Sequence, residues 1–283
     1  MLISVVIPAY RAQATIARAI ESLIAQTWTD WEGIVVSDDG DDYAAVLHRH
    51  GIADERLRFV TTGRVGSGCH RARNTGLAAA RGQFVVPLDA DDLMLPQRLA
   101  ILLPLAQSRG AAACNTRVMT NDDSTEVNRA FSDGVPAEVG IAGLLDLSVP
   151  LFPLVARSHA EPRIDGVEFG EDVIANLRLI DRIGGLPLVS DCLYYYRVMP
   201  GSLCHSDRSA EAFETSYSAM IDRIENGDRF ALSAASAAIA RERLIRKRDF
   251  NRAFAAARTN APTLDFQTFA AAARADATGQ SAS

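Results

Sequence analysis

Runs of apolar residues alternate with helical patterns through the first 120 positions of the chain. The segments LISVVIP (2–8), GIVVSD (33–38), RLRFVTT (56–62) and QFVVPLD (83–89) each predict a β-strand, and another is expected near AAACNTRVM (111–119). Helical patterns separate these runs. Strand and helix in alternation predict an α/β fold with a mostly parallel central sheet and helices on both faces.

The helices between the strands are predicted from apolar spacing and from their stop signals. Ile16, Ile20, Leu23 and Ile24 fall on one helical face. Further helices are expected over DDYAAVLHRHG, ended by Gly51, from Cys69 to Ala80, closed by Gly82, and from about Pro96 to Ser108.

The character of the chain changes after Ser206. Residues 207–283 are alanine-rich and helical in pattern, and the tail ADATGQSAS is typical of a disordered end. We therefore expect a main domain over residues 1–206 and a C-terminal helical appendage over residues 207–283. The arginine-rich segment 241–248 favours a solvated helix face; peripheral membrane contact and oligomerisation through these helices stay open.

Composition and charge narrow the possible partners. Apolar residues make up 48% of the chain, enough for a substantial core, and the formal net charge is −6. With one lysine, Lys247, and no extended basic surface, nucleic acid is not expected as a partner. The chain shows no transmembrane run and no leader before LISVVIPAY, so a cytoplasmic location is expected.

The four cysteines do not indicate a metal or disulfide framework. Cys69, Cys114, Cys192 and Cys204 are scattered without C-x-x-C spacing. We expect ordinary reduced thiols.

Five carboxylates follow the predicted strands at their carboxyl ends. Asp38 and Asp39 end the second strand, and Asp89, Asp91 and Asp92 end the fourth. Ligands of parallel sheets collect at this edge, and converging carboxylates favour a hard cation, Mg²⁺ or Mn²⁺, shared with substrate phosphates. The alternative is that the D-A-D-D stretch only caps the helix expected from Pro96.

Several linked motifs resemble those of the family 2 glycosyltransferases. They are the P-A-Y turn at 8–10, S-L-x-x-Q at 22–26, D-D-G at 38–40, A-R-N at 72–74 and D-A-D-D at 89–92. The resemblance is continuous from Ile3 to about Leu99 and returns in EFGEDVIANLRL and YYYRVMPGSL. It implies the GT-A fold and an inverting transfer of sugar from a nucleotide-diphosphate donor, with UDP expected.

The resemblance also implies roles for the residues at the donor site. Asp39, with its neighbour Asp38, would accept the N3–H of a uracil-type base. Arg73 would orient the nucleotide, although a surface helix arginine is the simpler alternative. The resemblance implies that the base and ribose are lined by Pro8, Ala9 and Tyr10. It implies that the ribose and diphosphate are bound by Asp89, Ala90 and Asp91, of which Asp89 and Asp91 would also bind the metal. Asp92 would support these residues.

The catalytic base implied by the resemblance is the Asp of the Glu171-Asp172 pair at the start of a helix. Complementing that helix N-terminus is the alternative role. Three positions depart from the family pattern: Asp41 replaces a serine, Val173 a common tryptophan and Met199 a histidine near the diphosphate. His205 is a candidate metal ligand in place of that histidine, although a lone histidine is often structural.

Two other function classes remain open beside the glycosyltransferase. A sugar-phosphate nucleotidyltransferase would be expected to carry a glycine-rich loop after the first strand, and PAYRAQ has no glycine. A non-catalytic nucleotide-sugar-binding protein is disfavoured by Asp89, Asp91 and Asp172. The acceptor could be a glycan, a lipid-linked or a small-molecule compound, because the segment 121–165 matches no interpretable pattern.

Overall fold

The fold was analysed in a computed structural model that describes residues 1–132, 134–164, 170–198 and 209–279. The strands are β1 (Ile3–Ala9), β2 (Trp31–Ser37), β3 (Leu57–Thr61), β4 (Phe84–Pro87), β5 (Leu93–Met94), β6 (Ala111–Thr120), β7 (Glu126–Arg129), β8 (Glu138–Val139), β9 (Leu154–Ala156) and β10 (Leu186–Val198). The helices are α1 (Ile16–Ile24), α2 (Tyr43–Arg49), α3 (Cys69–Ala79), α4 (Arg98–Arg109), α5 (Ile141–Asp146), α6 (Glu171–Ile183), α7 (Ser209–Glu225), α8 (Ala234–Asn260) and α9 (Phe266–Gly279).

The sheet follows the order β3-β2-β1-β4-β9-β6-β10-β5. Its first four strands are parallel, as the strand–helix alternation predicted. β1 pairs with β2 and β4 from Ile3 onward, so the carboxyl ends of these strands lie along one edge. Beyond β4 the sheet is mixed, because the short strand β9 runs antiparallel to both β4 and β6.

Helices cover both faces of the parallel part of the sheet, as expected. Val5 and Ile7 belong to the core cluster formed with α1, α2 and α4, whereas Val6 packs with α3 on the opposite face. Gly76 allows α3 to lie close to β1, since a Cβ at this position would be 2.3 Å from a methyl group of Val6. This close packing fixes the N-terminal half of α3 beside the ends of β1 and β4.

The C-terminal helices share a core with the second half of the sheet. Leu186 and Leu188 of β10 belong to one cluster with Ile174 of α6, Tyr217 of α7 and Leu244 of α8. The predicted domain boundary at residue 206 falls outside the described residues and stays a prediction. Among the residues that the structure describes, no helix combines the length and the hydropathy needed to cross a bilayer.

Three local expectations differ from the structure. Ile24 is 37% exposed instead of facing the core with Ile16. The helix expected from Pro96 begins at Arg98, after the short strand β5. α9 continues to Gly279, into the tail expected to be disordered, where alanine's helix propensity outweighs the small polar residues.

The thiols follow the prediction in the described part of the chain. Cys69, Cys114 and Cys192 are free. Cys204 lies outside the described residues.

Candidate active site

Asp39 presents a hydrogen-bonded carboxylate beside the end of β2. It accepts from the N–H of Arg11 at 2.6 Å, the hydroxyl of Tyr43 at 2.8 Å, and the N–H of Asp41 and hydroxyl of Ser37, both at 3.1 Å. Burial raises the pKa of Asp39, but these hydrogen bonds outweigh it and hold the pKa below its ordinary value. Asp39 is therefore ionised at neutral pH, and its carboxylate can only accept hydrogen bonds.

Asp38 has a different environment from Asp39, although the two were grouped in sequence. It is 4% exposed and accepts from the hydroxyl of Thr62 at 2.7 Å and the N–H groups of Ser67 and Gly68 at 3.0 and 2.9 Å. Burial raises its pKa, and these bonds together lower it below the ordinary value. Asp38 thus holds the glycine-containing segment 62–68 against the end of β2.

The P-A-Y turn presents one exposed ring next to Asp39. Tyr10 is 47% exposed, while Ala9 is buried in the core and Pro8 is half-buried. The guanidinium of Arg11 lies 5.1 Å from the centroid of the Tyr10 ring. Tyr10 is consequently the residue of this turn whose side chain can meet a ligand.

The D-A-D-D stretch does not cap α4. It forms a turn in which the N–H of Asp92 donates to the carbonyl of Asp89 at 3.0 Å, and β5 separates this turn from the helix. Asp92 is 1% exposed and accepts from the hydroxyl of Tyr194 at 2.8 Å and the N–H of Arg197 at 2.9 Å. These two hydrogen bonds tie the turn to β10. Ala90 is buried, so only its backbone is available to a ligand.

Asp91 carries a carboxylate that is harder to ionise than an exposed aspartate. Burial and the neighbouring charge of Asp89 raise its pKa to about 6, and Arg197 and Arg73 only partly offset this effect. Within the described residues no ion pair involves Asp91. A bound cation would favour its ionised form.

Arg73 connects the two acidic motifs. Its guanidinium donates to Asp89 at 2.6 Å and also to Glu171, with 11% of the side chain exposed. Burial lowers the pKa of Arg73, but the charges around it, led by Asp89, raise it well above the ordinary value. The surface-arginine alternative for Arg73 is therefore wrong, because α3 carries it into contact with both motifs.

Sequence reasoning missed the partner of Asn74 in the A-R-N motif. The Asn74 side chain accepts from the N–H of Arg163 at 2.6 Å and donates to its carbonyl at 2.9 Å. The guanidinium of Arg163 lies 3.0 Å from Glu171. Nothing in the sequence around Arg163 indicated this contact, because it joins positions 89 residues apart.

The Glu-Asp pair begins α6, and its two members have separate environments. Glu171 is 5% exposed and lies between Arg73 and Arg163. Asp172 forms no ion pair within the described residues. Burial and repulsion by Glu171 raise the pKa of Asp172, while Arg73 and the N–H of Val173 lower it in part. A carboxylate with a raised pKa is suited to accept a proton near neutral pH.

Arg197 organises the site from β10, in the YYYRVM stretch. Its guanidinium donates to the carbonyl of Asp91 at 3.1 Å and to the side chain of Asn121 at 2.9 Å, and lies 3.0 Å from Asp123. Asp123 has a positive φ of 59° and also pairs with Arg18 of α1. The segment after β6 matched no interpretable pattern in the sequence. Through Arg197 it supports the turn that carries Asp89 and Asp91.

The donor set fits a metal shared with a substrate better than a closed metal site. No cluster of three or more His, Cys, Asp or Glu side chains suited to a metal occurs within the described ranges. Asp91 can be a ligand, and Asp89 can contribute an oxygen beside its contact with Arg73. Mg²⁺ commonly takes one or two carboxylates and completes its shell with phosphate oxygens and water. Met199 and the proposed ligand His205 lie outside the described residues.

Comparison with known proteins adds independent findings. The model of the family described as Glycosyl transferase family 2 matches residues 4–143. The succinoglycan biosynthesis protein ExoO of Rhizobium meliloti (strain 1021) is 36% identical over 152 residues, which cover 53% of this chain and 41% of ExoO. EpsJ of Bacillus subtilis (strain 168), an uncharacterized glycosyltransferase, is 35% identical over 217 residues, covering 71% of this chain and 62% of EpsJ.

A third relative has a more specific name. The UDP-Glc:alpha-D-GlcNAc-diphosphoundecaprenol beta-1,3-glucosyltransferase WfgD of Escherichia coli is 34% identical over 106 residues, covering 37% of this chain and 40% of WfgD. The matched segments thus span less than half the length of ExoO and of WfgD.

Solved structures show the same fold. Residues 1–349 of S. aureus TarS superpose with a TM-score of 0.66 at 19% identity, covering 94% of this chain and 75% of that one. The same TarS segment in complex with UDP gives a TM-score of 0.63 at 19% identity, covering 89% and 73%. The expected GT-A fold is confirmed.

Proposed function

Since residues 4–143 belong to glycosyl transferase family 2, we propose that this chain moves a sugar from UDP to an acceptor hydroxyl, with inversion and with the help of a divalent cation. The observation that carries the proposal is the Arg73 bridge. It joins the turn of Asp89 and Asp91 to the Glu171-Asp172 pair. The turn proposed to bind the diphosphate and the proposed proton acceptor are thereby held near each other.

UDP is the proposed donor nucleotide because the edge of the sheet offers a carboxylate that can only accept a hydrogen bond from the base. Asp39 is an ionised carboxylate that accepts from the N–H of Arg11, and the neighbouring residue Tyr10 has an exposed ring. A carboxylate suits the N3–H of uracil, and an exposed ring suits its flat face. The likeness to TarS, which has a structure with UDP, supports the same choice.

The proposed chemistry is a direct displacement at the anomeric carbon. Asp172 takes the proton of the acceptor hydroxyl while its oxygen forms a bond to the anomeric carbon, and the bond to the departing UDP oxygen breaks. A cation held by Asp91 and Asp89 would offset the negative charge that develops on UDP. Attack opposite to the leaving group inverts the anomeric configuration. The likeness to ExoO supports an acceptor in polysaccharide assembly.

Calorimetric titration with UDP, with and without Mn²⁺, tests the donor and the metal together. We expect UDP to bind at least about tenfold more tightly with Mn²⁺, because the cation bridges carboxylates and diphosphate. CDP and UMP serve as matched controls, since CDP changes only the base and UMP lacks only the second phosphate. Equal UDP affinity in both conditions would refute the metal role, and absence of UDP binding would refute the donor assignment.

A further inference from the structure

The hydroxyl of Tyr194 makes two hydrogen bonds to the D-A-D-D turn. It donates to the carboxylate of Asp92 at 2.8 Å and accepts from the backbone N–H of Asp89 at 3.2 Å. Asp89 and Asp92 are the first and last residues of the turn, and the N–H of Asp92 also donates to the carbonyl of Asp89. One side chain of β10 therefore contacts both ends of the turn that carries Asp91.

The ring of Tyr194 has buried contacts of its own. Tyr194 is fully buried, and its ring stacks on that of Phe152 with the two centroids 4.3 Å apart. The guanidinium of Arg98, which is also fully buried, lies 4.9 Å from the centroid of the Tyr194 ring and donates to the carbonyl of Phe152. A ring packed in this way has little freedom to move, so the core sets the position of its hydroxyl.

Tyr194 is also shared by two buried charges. Within the described residues Arg98 forms no ion pair, and its Nε and Nη1 make no hydrogen bond. Asp92 is likewise buried and forms no ion pair in the part of the chain that the structure describes. An isolated buried charge is costly, so Arg98 at the ring and Asp92 at the hydroxyl both depend on this tyrosine for part of their stabilisation.

The chain after the turn is held by other residues, those of the S-L-x-x-Q motif at the end of α1. The hydroxyl of Ser22 accepts from the N–H of Met94 at 3.1 Å. The side chain of Gln26 donates to the carbonyl of Leu95 at 2.8 Å and accepts from the N–H of Leu99 at 3.1 Å. β5 and the start of α4 are therefore held independently of the tyrosine hydroxyl.

We propose that Tyr194 is a positioning residue for the proposed metal: its hydroxyl fixes Asp89 relative to Asp92 and thereby places the carboxylates of Asp89 and Asp91 for a shared cation. The inference rests on the proposed function for the identity of the ligand as a cation bound together with UDP. A hydroxyl bonded at both ends of a four-residue turn removes freedom that the cation would otherwise restrict on binding. Loss of the hydroxyl should weaken the contribution of the cation to UDP binding and leave base recognition at Asp39 unchanged.

Tyr194→Phe tests this role, because it removes the hydroxyl and keeps the ring against Arg98 and Phe152. The matched control is Tyr195→Phe, since the hydroxyl of Tyr195, the next residue of β10, bonds to none of the described residues. Calorimetry with UDP, with and without Mn²⁺, gives the factor by which Mn²⁺ tightens UDP binding. We expect this factor to fall by about fivefold in Tyr194→Phe, as for the loss of one hydrogen bond, and to stay within about twofold of the wild type in Tyr195→Phe. The UDP affinity without Mn²⁺ should be unchanged in both variants.

Amide hydrogen exchange in the metal-free protein tests the turn itself. Followed by NMR, exchange at the N–H of Asp89 should be about fivefold faster in Tyr194→Phe than in the wild type, because this N–H loses its acceptor. The N–H of Met94, which donates to Ser22, is the internal reference and should exchange at the wild-type rate. A general loss of stability would instead accelerate exchange at both amides.

Four outcomes would overturn the proposal. They are an unchanged Mn²⁺ factor in Tyr194→Phe, the same fall in both tyrosine variants, unchanged exchange at Asp89, or equal acceleration of exchange at Asp89 and Met94. A wild-type protein whose UDP affinity does not respond to Mn²⁺ would count against the proposed metal instead, and exchange at Asp89 would still show whether Tyr194 holds the turn.

Discussion

At the scale of single residues, Asp91 and Asp172 differ from the acids around them. Asp38 and Asp92 are buried and hydrogen-bonded, and Glu171 lies between two arginines. Asp91 and Asp172 form no ion pair within the described parts of the chain, and both have a raised pKa. We therefore propose Asp91 for the contact with the metal and Asp172 for the proton.

Replacing Asp172 by Asn should separate chemistry from donor binding. The amide cannot accept the hydroxyl proton, so kcat for transfer should fall about 10²- to 10⁴-fold, the usual contribution of a positioned base. The UDP dissociation constant should stay within about twofold, because Asp39 and the cation hold the donor. Rate assays and calorimetry on the same variant give both numbers.

Two results would contradict the assignment of Asp172 as the base. Near-normal transfer by Asp172→Asn would remove it as the base. A parallel loss of UDP affinity would place Asp172 in the donor site.

Replacing Asp91 by Asn should weaken binding without loss of stability. The amide removes one anionic ligand, so UDP affinity in the presence of Mn²⁺ should fall by about tenfold or more. The repulsion between Asp91 and Asp89 also disappears, so the melting temperature should be equal or higher. Asp92→Ala is the control: it removes the acceptors of the buried hydrogen bonds from the Tyr194 hydroxyl and the Arg197 N–H, so it should lower the melting temperature. A melting temperature that drops for Asp91→Asn would show that this residue is structural.

At the scale of elements, the A-R-N motif joins α3 to the region that precedes α6. Arg73 reaches the acidic motifs, and Asn74 holds the backbone of Arg163 by two hydrogen bonds. Arg163 in turn lies against Glu171, next to Asp172. The start of α6 is thereby positioned by α3 as well as by its own core packing.

Replacing Arg163 by Gln should move the pH dependence of transfer. The positive charge of Arg163 lowers the pKa of Asp172, so its removal raises that pKa further above the ordinary value. Because the base acts in its ionised form, the acidic limb of the kcat–pH profile should shift to higher pH. The profile of Arg163→Lys, which keeps the charge, should stay near that of the wild type. An unshifted limb in Arg163→Gln would show that Arg163 does not act on Asp172.

At the scale of the whole molecule, Lys247 adds a buried polar contact to the core packing between the C-terminal helices and the α/β part. Lys247 of α8 donates from Nζ to the carbonyls of Leu145, at 3.3 Å, and Leu147, at the end of α5. These carbonyls have no partner in their own helix, so the ammonium group satisfies them. Burial lowers the pKa of Lys247 from the ordinary 10.5 to about 8.

This lowered pKa predicts a pH-dependent stability. Between about pH 8 and 10 the unfolded chain keeps the proton on Lys247 that the folded protein has released. The contribution of Lys247 to the free energy of unfolding should therefore rise with pH across this window, by on the order of 1 kcal/mol or more. Urea unfolding of wild type and Lys247→Met at each pH measures the difference. A difference that stays constant would show that Lys247 has the same pKa in both states.

Local pattern by itself determined the parallel half of the fold and the chemistry at its edge. Apolar runs and stop signals placed β1 to β4 and the helices between them, because strand and helix periods differ and are readable in short windows. The same windows put Asp39, Asp89 and Asp91 at strand ends, and the linked motifs resemble those of the family whose model matches residues 4–143.

Tertiary structure alone decided which of the acidic side chains are engaged in hydrogen bonds and ion pairs within the protein. Asp38 and Asp39 are neighbours in sequence, yet one anchors a loop and the other faces the edge. Arg73 reaches Glu171 across 98 positions, and Arg197 reaches Asp91 across 106. Contacts between such distant positions depend on the packing of α3, α6 and β10, and no local pattern encodes them.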